Sequence, residues 1–91
     1  MPTYARTERF MRDHAGLSRE QKAAFRAAVR HFVEDLEAHR TFRPGLRVKR
    51  VKGAPGIFEM TWADDGRATF EYAEGLVEGQ AHIVWRRNQN G

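Results

Sequence analysis

The spacing of apolar residues changes once along the chain, at Gly45, and divides it into a helical half and a strand half. Between Ser18 and His39, Phe25, Val29, Phe32 and Leu36 recur at helical intervals, with Ala24, Ala28 and Val33 beside them. This pattern predicts one helix with a single apolar stripe. Ser18 and Gln21 have the spacing of a capping box, in which each side chain satisfies a backbone N–H at the helix start. Burying the four large side chains is worth roughly 6–12 kcal/mol gross, at ~1.5–3 kcal/mol each. The cap adds only ~1 kcal/mol. Packing therefore decides this helix, and it must lie on an apolar surface. Thr3–His14 reads as a shorter helix anchored by Phe10 and Met11, ended at Gly16, with Leu17 reaching back. Pro44-Gly45 stops any continuation of the long helix.

After Gly45 the period becomes two, and four strands follow, at 46–52, 57–62, 67–72 and 80–87. Val51 is out of phase with Leu46 and Val48, which predicts a bulge or strong twist near Lys49 and Arg50. Gly53–Gly56 is a turn, and Asp65-Gly66 suits a primed hairpin turn. Ala73–Gly79 reads as an acidic loop, and Asn88–Gly91 as a polar, frayed end. Short connections make sequential strands neighbours. The fold class is therefore α+β: an N-terminal helical hairpin (3–14 and 18–39) packed on one face of a four-stranded antiparallel meander, one domain over 1–91.

Alternation then assigns faces. Phe58, Met60 and Trp62, Ala68, Phe70 and Tyr72, and Ala81, Ile83 and Trp85 point toward the helices. The bare face collects Arg47, Lys49, Glu59, Thr61, Arg67, Thr69, Glu71, His82 and Arg86. Charge gives this face a meaning. Thirteen of the sixteen cations are arginine, the formal charge is +4, and Arg40–Lys52 holds six cations with no acid. Interleaved with Leu46, Val48 and Val51, these cations form a rail for phosphate rather than a solvated tail. Arg43, Arg47, Arg50, Arg87 and His82 are the expected RNA contacts around it. If an RNA 2′-hydroxyl attacks its neighbouring phosphorus, fixed cations stabilise the charge that grows on the phosphoryl oxygens. Glu59, Glu71 or His82 would accept the proton.

The same residues have plainer readings. Arg67 follows a turn, where solubility residues are common, and Glu59 opposite a basic strand makes a cross-strand ion pair. Trp62 and Trp85 read as core. Phe42 is either core or a base-stacking ring. The four histidines show no metal-ligand spacing with carboxylates, and no cofactor is expected. There is no cysteine, which excludes disulfides and thiol chemistry and fits a reducing cytosol. No run approaches the ~18 apolar residues of a membrane span, and Met1–Gly16 lacks the apolar centre of a signal peptide. A cytoplasmic protein without membrane contact is expected.

The order helical hairpin, GLRVKRVKG (Gly45–Gly53), GIFEMTW (Gly56–Trp62), DGRATFEY (Asp65–Tyr72) and HIVWRR (His82–Arg87) resembles the RelE/ParE toxin superfamily, most of all its small RelE- or HigB-like toxins. The resemblance runs from about Ser18 to Arg87 and lies in the order of segments rather than in one motif. It implies a toxin of a toxin–antitoxin pair that cuts mRNA on the ribosome without metal, inhibiting translation, and a cognate antitoxin that covers the cations. It also implies roles. Lys49 and Lys52 match the strand lysines, Arg67 the third-strand arginine, Arg86 the arginine near the end of the last strand, and Glu59 an acidic position with an orienting role. Thr61 stands where the family often has arginine. The end Asn88-Gln89-Asn90-Gly91 lacks the His, Asp or Tyr common there. The alternatives are a non-catalytic RNA- or protein-binding module with a degenerate toxin fold, and a ParE-like gyrase inhibitor.

Overall fold

A computed structural model describes residues 3–38, 41–73 and 81–90. The chain opens with a strand, β1 (Thr3–Arg6), where the apolar pattern predicts helix. Its hydrogen bonds go to the far end of the sequence, with Thr3 opposite His82 and Arg6 opposite Trp85, so no local pattern encodes it. Thr7 then starts the first helix, α1 (Glu8–Ala15): its Oγ1 accepts from the Phe10 N–H at 3.1 Å. The same hydroxyl donates to the Arg86 carbonyl at 2.8 Å, tying the cap to the sheet. Phe10 is buried, but Met11 faces solvent. One aromatic, rather than the expected pair, anchors this helix.

The long helix, α2 (Arg19–Glu37), has the predicted capping box. Gln21 N–H donates to Ser18 Oγ at 3.1 Å, and Ser18 N–H donates to Gln21 Oε1 at 2.7 Å. Its buried stripe is Phe25, Ala28, Phe32 and Asp35, while Val29 and Leu36 are only half-covered. Ala24, Val29, Val33 and Leu36 pack against the same core, as the stripe predicts, and Asp35 is added to it where Arg43 folds back onto that carboxylate. The helix ends at Glu37 with Ala38 as its cap; His39 lies outside the described residues.

Beyond it, Pro44–Leu46 forms a single 3₁₀ turn, and Arg47 takes the left-handed conformation at φ 46°. The strand expected from Leu46 therefore starts late and is short: β2 is Lys49–Arg50. Val51 N–H donates to the Ile57 carbonyl at 2.8 Å, and Gly53 and Gly56, both at φ 80°, turn the chain into β3 (Ile57–Ala63). Asp64 and Asp65 connect to β4 (Gly66–Ala73), and β5 (His82–Asn90) completes the sheet. The expected loop after Ala73 falls outside the described residues, apart from Ala73 itself, which ends β4.

The strand order is β1-β5-β4-β3-β2, with β1 parallel to β5 and the other pairs antiparallel. The predicted meander is present, and β1 makes it a five-stranded sheet rather than a four-stranded one. The irregularities lie elsewhere than expected. None falls at Lys49–Arg50; the register shifts between Thr61 and Ala63, and between Thr69 and Phe70 where they face Arg87 and Trp85. The Asp64-Asp65 turn has no positive φ, so it is not a primed turn. Unprimed turns splay a hairpin, and the nearby shift at Trp62 absorbs the mismatch. The second shift turns Asn88 into the core opposite Ala68, where both are buried. Residues 88–90, expected to fray, are strand.

The helices cover one sheet face. Phe25, Phe32, Met60, Trp62, Ala68, Phe70, Ile83 and Trp85 form the centre of the core. Phe42 stacks on Phe32 with ring centroids 4.8 Å apart, which makes it core rather than a base platform.

Candidate functional site

The face that the helices leave bare is built by alternation along β3 and β4. Met60, Trp62, Ala68 and Phe70 are buried, so Glu59, Thr61, Arg67, Thr69 and Glu71 point the other way. Lateral register then sets the rows. Lys49 lies opposite Glu59 and Glu59 opposite Thr69; Thr61 lies opposite Arg67 and Arg67 opposite Gln89.

Glu59 is the centre. Its Oε1 is 3.9 Å from Lys49 Nζ and 3.7 Å from Arg67 Nε, so one carboxylate oxygen holds two cations from neighbouring strands. Lys49 remains 70% exposed. Arg67 also has a structural role, since its Nη1 donates to the carbonyls of Ala63, Asp64 and Gly66 at 3.0–3.2 Å and braces the β3–β4 turn. Arg86 pairs with Glu71 at 3.1 Å on the same face. Glu71 is four residues from Arg67 along β4, roughly 13 Å at the rise of a strand. The two clusters therefore span more than one phosphate.

Of the ten residues singled out in the sequence, Lys49, Glu59, Arg67 and Arg86 lie on this face. Among the described residues, the others take no part in these ion pairs. Lys52 is exposed in the turn after β2. Arg50 lies over the Phe58 ring at 5.8 Å, on the helix side. Arg43 is held by Asp35: its backbone N–H and Nε donate to Oδ2 at 3.0 and 2.9 Å, and its Nη2 to Oδ1 at 2.9 Å. The hydrogen bonds to Asp35, with the charges of Asp35 and Glu34, push its pKa up against the cost of burial. This arginine fixes the chain to α2. Arg47, exposed and left-handed, stands beside a cleft between α2 and β3. Arg87, which the register shift sets opposite Thr69, donates from Nε to Asp13 of α1 at 2.7 Å, so its guanidinium is engaged by that helix. His82 is nearly buried, side by side with Thr3 of β1 and Ala73 of β4, its Nδ1 2.7 Å from Thr3 Oγ1. Its Nδ1 is thus engaged by β1, a strand that sequence periodicity did not reveal.

Gln89 was missed. It is exposed, directly opposite Arg67, in a row with Thr61. The only sequence signal for it was the alternation of β5, which the register shift breaks.

No family model matches the sequence, and no curated protein matches it. Solved structures match across nearly the whole chain. A copper-bound mutant toxin from Helicobacter pylori superposes with a TM-score of 0.69 at 11% identity, over 99% of this chain and 94% of that one. A mutant of YafQ from E. coli gives 0.67 at 8% identity, over 99% and 93%. RelE of the RelB–RelE antitoxin–toxin complex from Methanococcus jannaschii gives 0.62 at 15% identity, over 94% and 88%. The fold is that of small toxin proteins. It is, specifically, the RelE-like fold, shared with the RelE, YafQ and YoeB/ParE toxins. YafQ and RelE were also solved bound to the antitoxins DinJ and RelB. Among the described residues, no helix is long and apolar enough to cross a membrane.

Proposed function

We propose that this chain is the toxin of a toxin–antitoxin pair and cuts mRNA on the ribosome. The observation that supports this reading best is the meeting of Lys49 and Arg67 at Glu59 on the uncovered sheet face. A phosphodiester on that face takes Lys49 and Arg67 on its non-bridging oxygens, and Glu59 lies between them as proton acceptor. The ribose 2′-oxygen gives its proton to Glu59 and bonds to phosphorus. The bond from phosphorus to the 5′-oxygen breaks, and that oxygen takes a proton from water. Charge grows on the phosphoryl oxygens during attack, so the two cations hold the transition state more tightly than the ground state. Arg86 serves a neighbouring phosphate, and the antitoxin neutralises the protein by covering this face in the cytoplasm.

The test is purified protein with translating ribosomes and a defined message, with cut sites mapped by primer extension. Cuts within the A-site codon are expected; an intact message overturns the reading. A second reading draws on the commitment of Arg67 Nη1 to three carbonyls. Part of that guanidinium braces a turn, which suits a surface that holds RNA without cutting it. Salt-sensitive RNA binding with no cleavage at any enzyme concentration would select it.

A further inference from the structure

The sheet edge next to this face is unfinished. β3 has seven residues and β2 only two, so β2 stops at Lys49, opposite Glu59. Ile57 turns its carbonyl and N–H toward the β2 side, where they bond Val51 and Ala54. Alternation puts the N–H and carbonyl of Thr61 on that side too. The residue in position to pair with them, Arg47, has turned into the left-handed conformation, and its N–H bonds Pro44 instead. Among the described residues no backbone hydrogen bond joins Arg47 to Thr61.

A cleft of about 590 Å³ fills the gap. Ala24, Ala27 and Ala28 of α2 form one wall, and small side chains keep it open. Arg47 and His31, both exposed, stand on its rim, and Thr61 and Trp62 line the β3 side. Trp62 is 7% exposed, and its indole N–H is buried without an acceptor among the described residues. Leaving such a donor unmet is costly, and native structures seldom do so without reason. Thr61 is also in the row with Arg67. Thr61 at the open edge of β3 is therefore shared between the cleft, on the helix side of the sheet, and the row of Arg67 on the bare face.

We propose that this cleft binds one nucleotide of a single-stranded RNA, the neighbour of the nucleotide whose phosphate lies on Lys49 and Arg67. The proposal rests on the RNA-cleavage reading and assigns it a second subsite. The volume is in the range of small-ligand sites. A base edge supplies both acceptors and donors, as the Thr61 edge and the Trp62 indole require, and Arg47 meets the phosphate of the same nucleotide. An acidic peptide would satisfy Arg47 but offers less to the flat apolar wall beside Trp62.

Full-length protein labelled with nitrogen-15 is titrated with a non-cleavable 2′-deoxy-substituted trinucleotide and with the matching dinucleotide. The trinucleotide is expected to move the Trp62 indole and Thr61 amide resonances and leave the Trp85 indole in place. It should bind about ten-fold more tightly than the dinucleotide. Arg47→Gly, which suits the left-handed backbone, and Ala27→Phe, which fills the cleft from an exposed position, should each abolish that length step. Circular dichroism confirms that both variants fold. If both bind and cleave as the unaltered protein does, or if shifts stay at Lys49, Arg67 and Arg86, the cleft proposal is wrong and the cleavage reading stands. If Arg67→Ala changes neither binding nor cutting, the cleavage reading itself fails and takes this subsite with it.

Discussion

The indole of Trp62 occupies the space in which a side chain on Gly66 would stand: an added Cβ would lie 2.5 Å from Trp62 Cε2. Gly66 has an ordinary φ, so the backbone does not demand glycine there; the ring does. Trp62 is the residue skipped by the β3 register shift, and Gly66 begins the returning strand. Gly66→Ala forces the ring or the strand to move in a packed site, which typically costs ~1–3 kcal/mol. The urea midpoint should fall accordingly, with an unchanged slope. An unshifted midpoint would mean the ring can leave at little cost.

Glu59 serves two cations with one oxygen, and its removal separates two roles. In the proposed role of proton acceptor, its loss in Glu59→Gln should slow cleavage by ~10²–10⁴-fold. The same change removes negative charge between Lys49 and Arg67, so RNA binding should tighten. Opposite movements of single-turnover rate and affinity are the expected signature. Cleavage that rises together with affinity would show that Glu59 only restrains the cations.

Asp35 holds the chain after α2 by accepting from the backbone N–H of Arg43 as well as from its guanidinium. Asp35→Ala leaves that N–H without its acceptor beneath the chain. An orphaned buried donor costs ~1–3 kcal/mol. The variant should unfold at lower urea, and the amides of 41–46 should exchange with deuterium faster than those of β4. Uniform exchange would place the anchor elsewhere.

These sites also mark what periodicity reveals. Ser18 and Gln21 were legible because a cap is a local device with fixed spacing. Lys49, Glu59 and Arg67 were legible because strand alternation alone fixes their face. β1 was not: four residues carry no period, and their partner is at the other end of the chain. Nor was the partner of Arg43, since a run of cations looks alike whether one of them meets a buried acid or none does. Gln89 and Arg87 were misplaced by one register shift, which reverses the parity of everything beyond it. The RelE-like layout survived these errors because it depends on element order, whereas the membership of the site depends on single-residue register.

The docking of α1 on β5 should respond to acid in two stages. Asp13 Oδ2 accepts from Arg87 Nε at 2.7 Å and from the Asn88 N–H at 3.1 Å, and His14 Nδ1 lies 3.3 Å from Asn88 Nδ2. Burial, then the charges of Lys22, Arg6 and Arg26, hold the His14 imidazole below its ordinary 6.5. The unfolded chain therefore binds that proton first. Stability is fully present above pH 6.5 and falls as pH drops from there through the folded-state value. Burial pushes Asp13 up, but the hydrogen bonds from Arg87 and Asn88 and the charges of Arg87 and Arg9 outweigh it and hold the carboxyl below 3.8. Its contribution is present above that value and is lost as pH falls through the lower folded one. Urea midpoints measured from pH 8 to pH 3 should show a first decline beginning near 6.5 and a second below about 4. His14→Gln should remove the first and keep the second, and Asp13→Asn should do the reverse. A first decline that persists in His14→Gln would assign it to another histidine and leave α1 insensitive to mild acid.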